Sequence, residues 1–296
     1  MWGVVPLDAE LRQSELYHEN SKQRRHDLEF NRRIHMVNAN ADFHRVIART
    51  FKSYPGATFT PLAAVVPADG PGFERVVALR RSIRRFDGRA LSLDQLTRLL
   101  YCANGITGTL DASGDELAQP IRAAPSGGAL YPVELYAVVT AVDGLEPGLY
   151  HYAVDRHGME LLRRGQFVDV LSAATSDAET FARAAVAFVL TGVFGRSHFK
   201  YGERAYRFTL LEAGHVCQNL LLAATALDVG AVAVGGFVDD EVNALLDLDG
   251  VDEAAVYVVA AGHPAPRPAP PGALGAIVDQ LLGELWVGDA AQRDRG

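Results

Sequence analysis

The sequence predicts an α/β chain of one large domain with elaborations, or of two modest domains. Three observations carry this: strand-like segments that are apolar throughout, long helical patterns around them, and 296 residues with 49% hydrophobic content, enough to bury a sizeable core. No run reaches the roughly 18 apolar residues that a membrane span requires. The N-terminus, Met1-Trp2-Gly3-Val4-Val5-Pro6, lacks the basic region and apolar core of a secretion signal, so a cytoplasmic location is expected. Cys102 and Cys217 each stand alone in an apolar helical pattern and are expected as buried core residues, with no disulfide and no metal.

In chain order, residues 11–52 read as mostly helical and polar. Tyr54-Pro55-Gly56 and Pro67-Ala68-Asp69-Gly70-Pro71-Gly72 then break the chain, and the second break is the expected linker. The net charge is −8, yet the first hundred residues are net basic and the remainder net acidic. The basic third is therefore suited to facing an anion. Lys22-Gln23-Arg24-Arg25-His26 is interrupted by Glu19, Asp27 and Glu29 and has no interleaved aromatic residues, so it reads as a solvated helix face and not a nucleic-acid patch.

Ser92 and Gln95 form a capping box at the start of a helix whose apolar stripe is Leu93, Leu96, Leu99 and Leu100 and whose end is Gly105. Residues 133–142, 184–193 and 254–261 are dense in Val, Ala, Leu and aromatics with little alternation, which predicts central strands covered on both faces. Residues 148–154 and 159–162 predict a hairpin at the sheet margin. Residues 203–227 predict a long helix burying Tyr206, Leu210, Gly214, Cys217, Leu221 and Ala224 on one face. Gly214, about 1 kcal/mol worse than Ala in a helix, points to a close approach there. Beyond a Pro-rich stretch, residues 273–286 form an apolar helix of the kind that packs on a partner subunit.

Three stretches are candidate ligand contacts. Arg80-Arg81-Ser82-Ile83-Arg84-Arg85-Phe86-Asp87 gathers guanidinium groups and a hydroxyl, as phosphate binding demands, although composition alone favours a surface cluster neutralised by Asp87 and Asp94. Arg122-Ala-Ala-Pro125-Ser126-Gly127-Gly128-Ala-Leu-Tyr-Pro132-Val-Glu134 is a stiffened glycine turn that exposes backbone N–H groups to a ligand, or an ordinary turn before a strand. Residues 230–237, ending in Gly235-Gly236-Phe237, offer a flat apolar wall or a buried strand. Glu212 and His215 lie three apart on the long helix, without further ligands at metal spacing, and are expected in hydrogen bonding.

The order of these elements resembles the nitroreductase-like flavoprotein superfamily, and more closely the SagB-type dehydrogenases, flavin-dependent partners of azoline-forming enzymes. The motifs are Tyr17-His18-Glu19-Asn20-Ser21-Lys22, Phe51-Lys52-Ser53-Tyr54-Pro55, Arg80-Arg81-Ser82-Ile83-Arg84, Ala124-Pro125-Ser126-Gly127-Gly128-Ala129-Leu130-Tyr131-Pro132, Lys200-Tyr201-Gly202-Glu203-Arg204 and Glu212-Ala213-Gly214-His215. They span roughly residues 16–263.

The resemblance implies an α+β nitroreductase-like fold, with a central mixed or antiparallel sheet flanked by helices, and a homodimer with FMN at its interface. Residues 1–72 would be a mostly helical extension, 73–264 the FMN-binding domain, and 265–296 a Pro-rich arm and helix packed on the partner. Arg80, Arg81, Ser82 and Arg84 would hold the phosphate and ribityl chain. Pro125, Ser126, Gly127 and Gly128 would lie along the flavin and Gly235 and Gly236 against its ring, while Arg267 is a weak match to a C-terminal phosphate contact. The absence of a Gly-x-Gly-x-x-Gly fingerprint agrees with FMN.

Lys200 and Tyr201 match a Lys-Tyr pair needed by azoline-oxidising members. The implied reaction turns thiazoline or oxazoline rings of a ribosomally made peptide into thiazole or oxazole, by proton abstraction and hydride transfer to flavin N5, with O2 as final acceptor. Tyr201 would be the base with Lys200 as its electrostatic partner, or the roles exchange. A complex with a cyclodehydratase is a further implied partner. The alternatives are a nicotinamide-dependent nitro or quinone reductase, a flavin oxidase of another natural-product intermediate, and a non-catalytic scaffold subunit.

Overall fold

In a computed structural model, the structure describes residues 12–24, 27–40, 42, 46–47, 51–66, 70–110 and 119–266. Part of the expected linker, Arg267 and the expected C-terminal helix lie outside the described residues. Chain contacts group Met1–Pro264 into one compact unit and Ala265–Gly296 into a second.

The helices and strands form in a sequence set by caps and apolar periodicity. Helices α1 (Gln13–Asn20) and α2 (Leu28–Asn38) come first, followed by strand β1 (Thr58–Pro61), α3 (Phe73–Leu79) and α4 (Leu93–Asn104). Asp27 caps α2 by accepting from Phe30 N at 2.9 Å, and the Ser92–Gln95 capping box starts α4 as expected. Gly105 ends α4 without a left-handed turn (φ −68°). A side chain there would meet Tyr101 at 2.8 Å, so space selects the glycine.

A short pair, β2 (Ile106–Leu110) and β3 (Gln119–Arg122), leads to the main sheet strands β4 (Val133–Val139), β5 (Gly148–Ala153) and β6 (Gly158–Arg164). Helices α5 (Val168–Ala173) and α6 (Ala178–Ala182) precede β7 (Val186–Val193). The chain continues as α7 (Gly195–Tyr201), α8 (Arg204–Ala226), β8 (Gly230–Val234), α9 (Asp239–Leu246) and β9 (Glu253–Gly262).

The seven-stranded sheet has the order β1-β6-β5-β4-β7-β9-β8, and every ladder in it is antiparallel. One parallel bridge, Ser82 with Ala231, adds the Arg-rich segment beside edge strand β8. The three apolar segments lie inside the sheet, as predicted, and are neighbours there. The β5–β6 hairpin is not at the margin: β1, from the stretch expected to be mostly helical, pairs outside it.

Alternation along β4 divides the core. Val133, Leu135, Ala137 and Val139 face a layer with Leu96, Leu99 and Leu100 of α4 and Val216 and Leu220 of α8. Tyr136 and Val138 face the other way, against Leu171, Phe181, Val242 and Leu245. Each such fully buried side chain contributes about 1.5–3 kcal/mol, which makes this two-sided burial the main stabilising term.

Two expectations about buried faces are corrected. On α8 the buried residues are Ala205, Thr209, Glu212, Ala213, Val216, Cys217, Leu220, Ala223 and Ala224, whereas Tyr206, Leu210 and Leu211 are exposed. Apolar and polar residues occur on several sides of the helix, so periodicity alone did not select the side that meets the sheet. Nothing lies within 4 Å of a side chain built at Gly214. Cys102 is exposed while Cys217 is buried, because Leu99, Leu100 and Ala103 take the inward face of α4.

Candidate functional site

The candidate site lies at the sheet end where β4 begins and β7 finishes. Its centre is the turn 125–132, in which Gly127–Ala129 form a single helical turn. Gly128 (φ +67°), Ala129 (φ +52°) and Tyr131 (φ +46°) all adopt left-handed backbone, a concentration of strain that survives only where neighbours over-determine it. They do so here. Tyr131 N donates to Ser126 Oγ at 2.9 Å, Arg122 N donates to the Tyr131 hydroxyl at 3.0 Å, and Arg196 Nη1 donates to the Tyr131 carbonyl at 2.9 Å.

Glu212, buried on α8, completes the clamp by hydrogen bonding to the Ser126 side chain and accepting from Val133 N at 3.4 Å. Burial pushes its carboxyl up to about 7, against the pull of those hydrogen bonds and of Arg122 and Arg196. Its expected partner on the helix, His215, is exposed. Arg122 is buried with its guanidinium 4.7 Å from the Tyr131 ring centroid and 5.5 Å from that of Phe51. Its Nε and Nη1 have no hydrogen-bond partner, and burial pushes its pKa down.

Lys200 and Tyr201 come to this turn from the end of α7. A side chain built at Gly128 would lie 2.5 Å from the Tyr201 hydroxyl and 3.1 Å from Lys200 Nζ. Both polar tips therefore converge on one glycine, and the glycine makes room for them. Tyr201 packs edge-on against Phe208 at 5.0 Å between ring centroids, and Lys200 is buried. Burial pushes the Lys200 amine below the ordinary lysine value and the Tyr201 phenol above its own. This differs from the expectation of a phenolate stabilised by the neighbouring ammonium: desolvation disfavours the charged form of both groups.

A polar groove of about 230 Å³ runs past Tyr201, between Asn20–Gln23 and Asp27–Arg33 of the N-terminal segment and His198–Arg204. The N-terminal helices thus form one wall of the candidate site.

The Arg-rich segment occupies the other flank. Ile83 N donates to the Ala231 carbonyl at 3.0 Å, and Arg81, Ser82 and Arg84 are exposed, while Arg80 is partly buried. The acids expected to neutralise them are engaged elsewhere, Asp87 with Arg89 and Asp94 with Arg98. Arg84 has Asp177 at 3.5 Å. Gly235 and Gly236 follow β8 on this side, where the Gly236 carbonyl accepts from Ser176 N at 2.8 Å. Strands β7 and β9 separate β8 from β4, and the register Ala231–Ala261–Val186–Val139 puts the Arg edge at the end of the sheet away from the glycine turn.

Beneath the turn lies a buried ionic layer that sequence reasoning missed. His151 Nε2 lies 3.0 Å from Glu134 Oε2 and its Nδ1 2.8 Å from Glu160 Oε2. Arg196 Nη1 is 2.5 Å from Glu134 Oε1, and Arg156 pairs with Glu160. Lys52 pairs with Glu253, which also accepts from Thr191 Oγ1 at 2.6 Å and the Tyr136 hydroxyl at 3.1 Å. Charged residues inside otherwise apolar strands were the available signal. Burial works against the charges of Glu134 and His151, yet Arg196 and His151 hold Glu134 at about 2, and the two carboxylates raise His151.

Among the described residues no group of His, Cys, Asp or Glu could hold a metal, and no helix is long and apolar enough to cross a membrane.

An antiparallel sheet flanked by helices, with a strained glycine turn at one end and an arginine-lined edge, defines the nitroreductase-like α+β class. The pattern described as the Nitroreductase family matches residues 77–263, and the chain belongs to that family. MJ1384 of Methanocaldococcus jannaschii, a protein named for the same family, is 34% identical over 59% of this chain and 84% of its own length. The trifolitoxin-processing protein TfxB of Rhizobium leguminosarum bv. trifolii is 34% identical over 56% of this chain and 46% of its own. The microcin B17-processing protein McbC of Escherichia coli is 27% identical over 60% and 69% respectively.

Among solved structures, a protein of Anabaena variabilis named for the family superposes with a TM-score of 0.64 at 27% identity, over 84% of this chain and 45% of its own. The E. coli microcin synthetase McbBCD complex with truncated pro-MccB17 contains a chain of the same fold, with TM-score 0.53 and 22% identity, over 87% of this chain and 99% of that one. The chain thus spans about half the length of TfxB and of the Anabaena protein.

Proposed function

We propose that this protein is an FMN-dependent oxidoreductase of the SagB type that oxidises thiazoline or oxazoline rings in a ribosomally made peptide. The observation that carries the reading is the convergence of Lys200 and Tyr201 on Gly128 of the turn. Processing of peptide antibiotics by TfxB and McbC, as their names state, supports the substrate class.

The residue types suit FMN, guanidinium groups for its phosphate and glycines for its flat ring, and the two sets would be contributed by the two subunits of the proposed homodimer. Arg80, Arg81, Ser82 and Arg84 would hold its phosphate and ribityl chain, Pro125 to Gly128 would lie along the ring system with Gly235 and Gly236 at its other side, and Arg267 would add a further cation. When bound, FMN supplies a two-electron acceptor that O2 then reoxidises.

The rest is done by the chain. Burial lowers the pKa of Lys200 and so favours its neutral amine, the form that would take the ring Cα proton at Nζ. Neutral Tyr201 offers its hydroxyl as a hydrogen-bond donor that orients the ring. The groove beside Tyr201 receives the flanking peptide. The proposed assembly is a cytoplasmic homodimer that works alongside a cyclodehydratase.

Replacing Lys200 with Ala and Tyr201 with Phe tests the reading on a synthetic thiazoline peptide. Both variants are expected to keep their FMN content and lose at least about a hundredfold in turnover, the usual scale for a positioned base. Undiminished turnover would reject the assignment.

Two other readings have specific support. The similarity to MJ1384 favours a reductase fed by a nicotinamide, and anaerobic mixing with NADPH separates the two, since rapid flavin bleaching favours the reductase. The fold shared with a chain of McbBCD favours a scaffold subunit; a Lys200/Tyr201 double variant that still supports heterocycle formation would point to it.

A further inference from the structure

We propose that Asn38, at the end of α2, is a positioning residue for Lys200, so that the N-terminal helices belong to the active site. This rests on the reading of Lys200 as the base. Lys200 Nζ donates to Asn38 Oδ1 at 3.1 Å, across 162 positions of sequence. The same helix face packs the Phe30 ring 6.4 Å from that of Tyr201 and brings Arg33 against Gly202, where a built side chain would meet its Nη1 at 3.2 Å. Val37, one turn beyond Arg33, is buried. Thus α2 touches three consecutive residues, Lys200, Tyr201 and Gly202.

The physical role follows from the geometry of an amine. A lysine ends in a flexible four-carbon stem, and a buried Nζ without a fixed acceptor would sample several rotamers. Asn38 Oδ1 supplies the acceptor from one side while Gly128 leaves space on the other. Asn is suited to this because it is neutral. An acid at the same place would hold Lys200 as the ammonium, which has no lone pair for a proton. Tyr201 is the titratable group beside Lys200, its ring centroid 5.5 Å from Nζ, and the groove next to Tyr201 carries Lys22, Asp27, Glu29, Arg33, His198, Glu203 and Arg204.

The chain contains three lysines, Lys22, Lys52 and Lys200, so acylation by a lysine-directed reagent followed by peptide mass spectrometry reads each amine separately. Only the neutral amine reacts, and the labelling rate of Lys200 against pH gives its midpoint in the FMN-loaded protein. Asn38→Asp is expected to raise that midpoint by about one pH unit or more, and Asn38→Leu to lower it. Lys22 is exposed and serves as the unshifted control, whereas Lys52, ion-paired with Glu253, stays slow unless the fold is lost. The acid limb of kcat/KM should move with the labelling midpoint.

Unchanged Lys200 midpoints in both variants, with Lys52 still protected, would overturn the proposal. Shifted midpoints together with full activity of Lys200→Ala would uphold the contact and reject Lys200 as the base, so the two failures are distinct. If Asn38→Asp unfolds, as rapid Lys52 labelling would reveal, Asn38→Leu alone decides by the presence or absence of the downward shift.

Discussion

Gly128 and Glu212 show how single residues set this site. Gly128 is both left-handed and in contact with the two candidate catalytic tips, so Gly128→Ala imposes about 1–2 kcal/mol of backbone strain and displaces the Tyr201 hydroxyl. Azoline oxidation is expected to fall at least tenfold while thermal stability drops modestly; wild-type turnover would show that the hydroxyl need not sit there. Glu212 has a folded-state pKa raised from 4.5 to about 7, equivalent to about 3 kcal/mol. The folded protein therefore holds that proton more tightly than the unfolded chain. The resulting stabilisation is complete below about pH 4.5 and is lost as pH rises through 7. Glu212→Gln, which mimics the protonated acid, should lack this loss in urea titrations compared at pH 5 and 8. Equal declines in both proteins would assign the pH dependence to another group. The sequence displayed these two residues in the Ser-Gly-Gly and Glu-Ala-Gly-His motifs, but that Glu212 clamps Ser126 is a contact across more than eighty positions, beyond any local pattern.

Elements were legible where local physics determines them. The capping box at Ser92 and the continuous apolar runs of β4, β7 and β9 use interactions between near neighbours, and each appears where periodicity placed it. Helix α8 is the counterexample, since its sides are too similar in hydrophobicity for periodicity to choose between them. The sheet takes Ala213, Val216 and Leu220, and Leu210 and Leu211 remain exposed beside the open surface of Gly214. We propose this exposed apolar strip as a contact of the homodimer. Leu211→Arg should therefore yield a monomer by light scattering and lower the FMN content; a dimer of unchanged affinity would exclude the strip. Strand β1 was missed for the opposite reason: four residues with a proline carry little strand signal, and only the free edge of β6 recruits them.

At the scale of the whole molecule, the buried ionic layer joins five strands to the Lys52–Tyr54 segment and to α7. Through Arg196 it supports both Glu134 and the Tyr131 carbonyl, so the strained turn and the Lys200–Tyr201 helix share one foundation. His151→Leu strands two buried carboxylate oxygens and should cost about 3–5 kcal/mol in chemical denaturation at pH 7. A loss below about 1 kcal/mol would mean that the layer tolerates the vacancy. The signs of the acid and base limbs differ. Glu134, held at about 2, contributes stability above its ordinary 4.5 that disappears as pH falls toward 2. The raised His151 contributes stability below its ordinary 6.5 that disappears as pH climbs past its elevated value. By itself the sequence determined the elements whose cues are local, namely caps, apolar periods and glycine turns, together with the motifs that identify the family. Only the tertiary structure decided which face of α8 is buried, which strand closes the sheet, that Asn38 and Gly128 meet Lys200 and Tyr201, and that Glu212 clamps the turn. Those outcomes depend on burial and charge pairing between distant segments, energies that exist only once the chain has closed upon itself.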